Sequence, residues 1–152
     1  MNRLAIAAAI AVASLGGLRS AAADDKADCS FLEFTATKGK DPAIDPDLKP
    51  LEKKLAHSAP FASWNTFRVQ TKLDKTLQKS KSEALALKTG TANVILRERS
   101  AARVNLGITL DGADGKRVLD AKPDFQTGDW FFVGTSTPNA KDDGHFLALM
   151  CK

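Results

Sequence analysis

Arg103-Val104-Asn105-Leu106-Gly107-Ile108-Thr109-Leu110, followed by Asp111-Gly112-Ala113-Asp114-Gly115, is the stretch that decides the fold. Val104, Leu106, Ile108 and Leu110 fall at every second position. That period places all four on one face of an extended strand. An amphipathic helix would space its apolar residues about three to four positions apart. The Asp- and Gly-rich segment is a strong turn signal, and Arg117-Val118-Leu119 then resumes an extended pattern. A strand with one apolar face, closed by a tight turn, is the repeating unit of an antiparallel sheet.

Working outward, the same pattern recurs. In Ser30 to Ala36, Leu32, Phe34 and Ala36 share one face, and Phe31, Glu33 and Thr35 the other. From Trp64 onward Phe67, Val69 and Thr71 alternate with Arg68, Gln70 and Lys72. Leu73, Leu77, Leu85 and Leu87 carry two further strands through a lysine-rich region. Val94-Ile95-Leu96, Trp130-Phe131-Phe132-Val133 and the run from His145 to Cys151 add three more, the last two separated by a turn over Pro138 to Gly144. One segment departs from this period. Asp47 can cap a helix, Pro50 is tolerated in its first turn, and Leu48, Leu51 and Leu55 form a stripe that His57-Ser58-Ala59-Pro60 ends. The chain is therefore expected to be mainly β: an antiparallel β-sandwich or partly open barrel with one short α-helix.

The N-terminus reads as a secretory signal. Met1-Asn2-Arg3 is positive, Leu4 to Leu15 is apolar, and Ala21-Ala22-Ala23 offers a cleavage site before Asp24-Asp25. Residues 1–23 are expected to be the signal peptide and residues 24–152 a single exported β domain, periplasmic or secreted. The apolar run is shorter than the roughly 20 residues a membrane helix needs, and no later run is long enough. The formal net charge of +4 falls to +2 once residues 1–23, with Arg3 and Arg19, are removed. So balanced a chain does not argue for nucleic-acid binding, which usually shows as a clustered basic patch.

The two cysteines, Cys29 and Cys151, both lie in the exported part. With no C-x-x-C and no histidine nearby in sequence, they are expected to form a structural disulfide. Closing a loop on the order of 100 residues contributes roughly 4 to 5 kcal/mol in the loop-entropy picture.

Catalytic signatures are weak. His57 and His145 are the only neutral-pH proton shuttles, and the chain has no tyrosine. Gly134-Thr135-Ser136-Thr137-Pro138 misses the nucleophile elbow, because proline stands at its last glycine. Phosphate-loop, dinucleotide and paired-histidine metal motifs are absent, so no cofactor or metal is expected. Asp111, Asp114, Asp142 and Asp143 could attract calcium but fit turns better.

Two surface features remain. Lys72, Lys75, Lys79 and Lys81, with Lys88, either face an anionic surface polymer or guard a sheet edge against pairing. Trp64, Phe125 and Trp130 are candidate interface residues if exposed on a rim. Residues Gly128 to Gly134, followed by Gly144 to Leu149, resemble the closing hairpin of small bacterial envelope β-proteins. The leading expectation is a non-catalytic binding or assembly component of a bacterial-type cell envelope or periplasm, with an envelope protein or anionic surface polymer as partner. A small secreted inhibitor of a hydrolase is the alternative, and an unrecognised hydrolase the third.

Overall fold

The computed structural model describes residues 25–58, 61–135 and 143–152. Residues 1–23 expected as a signal peptide, Ala59-Pro60 of the expected helix end and residues 136–142 of the expected last turn lie outside them. The strands are β1 (Lys26–Thr37), β2 (Ala43–Ile44), β3 (Thr66–Gln78), β4 (Ser82–Leu87), β5 (Gly90–Arg99), β6 (Arg103–Gly112), β7 (Arg117–Ala121), β8 (Asp124–Gln126), β9 (Phe131–Thr135) and β10 (Gly144–Cys151). A short 3-10 helix, Pro46–Leu51, runs into α1 (Glu52–His57), and another 3-10 turn covers Phe61–Ser63.

The strands form two sheets. Sheet A has the order β2-β3-β1-β10-β9, and sheet B the order β4-β5-β6-β7, with β8 also paired to β6. Val104, Leu106, Ile108 and Leu110 are all buried, as their period requires. They meet Ala27, Cys29 and Phe31 of β1 and Leu147 and Leu149 of β10 in the core between the sheets. The fold is thus a mainly-β sandwich of a curled sheet on a second antiparallel sheet.

The central strands of sheet A, β1 and β10, are buried on both faces. Leu32, Phe34, Ala36, Phe146 and Ala148 point away from sheet B, where Leu48, Leu51, Leu55 and Phe61 of the helical segment cover them. Phe34 stacks on Phe146 with ring centroids 5.4 Å apart. Asp45, not Asp47, caps the segment: its carboxylate accepts the Asp47 N–H at 3.1 Å, and Pro46 takes the first helical position. The first turns are 3-10, so α1 itself spans only Glu52–His57.

A register shift between Glu33 and Phe34, opposite Gln70, corrects the expected facing of β3. Phe67 and Val69 pack on the helical side. Beyond the bulge, Thr71, Leu73 and Leu77 share the face toward sheet B, because one extra residue reverses the alternation. Lys72 is then free to reach Asp47 on the helical side, 2.9 Å away.

Cys29 and Cys151 are bonded. Asp28 and Lys152 exchange both backbone hydrogen bonds, at 3.2 and 2.8 Å. The neighbouring cysteines therefore occupy a closely spaced pair, Cα–Cα 4.1 Å, with their sulfurs in the core.

Candidate binding surface

The helical segment does more than cover sheet A, because it leaves a groove on each side. The first, of about 540 Å³, is floored by Ile44, Leu55, Trp64 and Phe67 and rimmed by Lys49 and Glu52. Those rim charges pair at 3.6 Å across three residues of exposed helix, a weak ion pair. The second, of about 490 Å³, is lined by Phe61, Trp130, Phe132 and Phe146, with Lys54 at its rim. The Lys54 ammonium donates to the Trp130 carbonyl at 3.2 Å. Clefts of this size, apolar with a few polar groups, are where proteins seat ligands and partner side chains.

Trp64 and Trp130, both half-buried, therefore sit in grooves on either side of α1. Trp64 packs edge-on against Phe146, ring centroids 5.5 Å apart. Phe125 is corrected: it is a core residue, 6 % exposed, stacked on Phe131 at 5.7 Å. Its neighbours on β8 face solvent, but the pairing of β8 with β6 turns Phe125 inward.

The lysines do not join the tryptophans. Lys72 and Lys75 lie along β3, and Lys79 and Lys81 at the β3–β4 turn, the end of the 13-residue strand away from Trp64. Lys72 holds its proton more tightly than usual, first through its hydrogen bond to Asp47 and then through that carboxylate's charge. Lys75 stands between Leu73 and Leu77 on the side of β3 that faces the core. β2 pairs only with Thr66 and Phe67, and Asp45 accepts the Val69 N–H at 3.4 Å, so among the described residues β3 beyond Val69 is an open edge. A charge pointing inward on an open edge is a guard against strand pairing.

A buried carboxylate escaped the sequence reading. Glu33, 4 % exposed, faces sheet B from β1. Its Oε2 accepts the Thr71 hydroxyl at 2.6 Å and the Lys88 N–H at 2.8 Å. Its Oε1 accepts the Thr89 hydroxyl at 2.5 Å and the Thr89 N–H at 3.1 Å. Burial pushes the carboxyl pKa up, but these four donors outweigh it and hold the group below its ordinary value of 4.5. The only sequence signal was a glutamate interrupting Phe31-Leu32 and Phe34.

Two of the aspartates weighed for calcium, Asp111 and Asp114, act locally, and Asp143 is exposed. Asp111 pairs with Arg117 at 2.9 Å, and Asp114 accepts the Lys116 N–H at 3.0 Å within the turn. Asp142 lies outside the described residues. Among those residues no group of three or more His, Cys, Asp or Glu is placed to hold a metal ion. No helix among them is long and apolar enough to cross a membrane. No family model matches the chain, and no curated protein or solved structure matches it significantly.

Proposed function

We propose that this chain is a non-catalytic binding or assembly component of a bacterial-type cell envelope, acting in the periplasm or outside the cell as one unit over residues 24–152. The observation that carries the proposal is the placement of Trp64 and Trp130 in the two grooves flanking α1. A tryptophan gives a large, rigid contact area and is enriched where binding energy concentrates. The signal-type leader supports export, and the bonded pair Cys29–Cys151 fits an oxidising compartment.

Co-purification from the native envelope tests the proposal, using the parent chain and the Trp64→Ala and Trp130→Ala variants, each checked for folding by circular dichroism. A stoichiometric partner held by the parent and lost from at least one folded variant is expected. A hydrolase activity of the pure protein that disappears in His145→Ala would overturn it.

A further inference from the structure

We infer that the edge of β9 that pairs with no strand among the described residues receives an extended segment of a partner protein as an added strand. The inference rests on the binding reading above and names its geometry. Hydrogen-bonding direction alternates along a strand. Asp28 and Lys152 bond each other, so Met150, Ala148 and Phe146 turn their backbone groups toward β1. Cys151, Leu149, Leu147 and His145 then turn theirs toward β9, in keeping with the Gly128 N–H on the Cys151 carbonyl at 2.8 Å. Phe131 and Val133, opposite Leu149 and Leu147, spend their backbone groups on β10. The groups of Phe132 and Gly134 point outward, as does the Trp130 carbonyl that Lys54 reaches.

Among the described residues, every other sheet edge carries a guard. β2 is two residues long and follows Pro42, which has no N–H. The open part of β3 carries inward-facing Lys75. β4 carries Glu83 opposite buried Val94, again an inward charge. β7 is bulged at Val118, and β8 has three residues after Pro123. β9 reads Phe131-Phe132-Val133-Gly134-Thr135, with no charged side chain of its own, no proline and no register shift; the Lys54 ammonium caps only the Trp130 carbonyl just before it and leaves the outward groups of Phe132 and Gly134 to an added strand. Natural sheets rarely leave such an edge without a use.

The site also says what suits it. An added strand presents alternate side chains to each face of the sheet. On one face they fall beside the groove of Phe61, Trp130, Phe132 and Phe146, which calls for apolar residues at alternate positions. The rim charge is the Lys54 ammonium, with no carboxylate among the lining residues, which calls for an acidic residue at one end. The occupant is thus an extended apolar segment of a partner protein with a flanking acid.

Residue-resolved amide hydrogen exchange tests this. The probes are capped peptides of alternating valine and threonine, with and without a terminal glutamate. The expected result is slower exchange at Phe132 and Gly134, by at least about tenfold, with Phe131 and Val133 unchanged. Lys54→Glu should remove the advantage of the glutamate peptide. Protection confined to other residues, or none at saturating peptide, overturns the inference. Concentration-dependent protection of the same two amides without peptide also overturns it, since a second copy would then be the occupant. A partner that co-purifies although no peptide protects these amides leaves the binding reading standing and removes strand addition.

Discussion

Glu33 on sheet A and Thr89 in the β4–β5 turn of sheet B, 56 residues apart, meet through two hydrogen bonds to one carboxylate oxygen. Lys88 and Thr71 fill the other oxygen. The carboxylate therefore latches the tip of one sheet to the middle of the other. Glu33→Ala leaves the Lys88 and Thr89 N–H groups without their acceptor and should cost about 2 to 4 kcal/mol in urea unfolding. Glu33→Gln keeps the shape but cannot accept from all four donors, so its loss should be smaller. A Glu33→Ala chain as stable as the parent would dismiss the latch.

The same group sets a pH dependence. Its folded pKa lies below the ordinary 4.5, so it binds its proton less readily folded than unfolded. Its stabilising contribution is complete above about pH 4.5 and is lost as the pH falls through the depressed value. The stability gap between the parent and Glu33→Gln, followed by thermal melts from neutral pH to about pH 3, should therefore narrow on acidification. A gap that is constant or widens would contradict the assignment.

Lys75 guards the open stretch of β3. Lys75→Ile would complete an apolar row with Leu73 and Leu77 beside unpaired backbone groups. Sedimentation velocity should show the variant associating at concentrations where the parent does not. Identical profiles would mean that the edge needs no such guard.

The bridge between Cys29 and Cys151 closes a separation of 122 residues. Replacing both by alanine should lower stability by about 2 to 5 kcal/mol and loosen the paired ends of β1 and β10 first. Amide exchange of Ala27 and Lys152, present in both chains, reads that loosening when parent and variant are compared. Two reactive thiols in the unfolded, unreduced parent would remove the bridge altogether.

How much of this was legible follows from which faces are buried. β6 was plain because one of its faces is buried and the other is not, so period two survives in the sequence. β1 and β10 are buried on both faces, which turns them into near-continuous apolar runs that announce a strand but not its facing. The bulge at Gln70 leaves no mark in composition, so an unbroken period of two puts Thr71 on the wrong face of β3. β8 has three residues and exists because β6 offers it an edge. The partners of Glu33 come from β3 and a distant turn, and no local pattern links them. Of the candidate site, the two tryptophans were visible as residue types. Their placement on either side of α1 is a product of tertiary packing.

Site-specific photo-crosslinking in the native exporting cell tests the binding role most directly. A crosslinking amino acid replaces Ala56 in the groove of Trp64, Ser58 in the groove of Trp130, or, as control, Thr91 on the outer face of sheet B. A discrete adduct from Ala56 or Ser58, and none from Thr91, is the expected result. Adducts from Thr91 alone, or from no position, would contradict a binding role for the grooves beside α1.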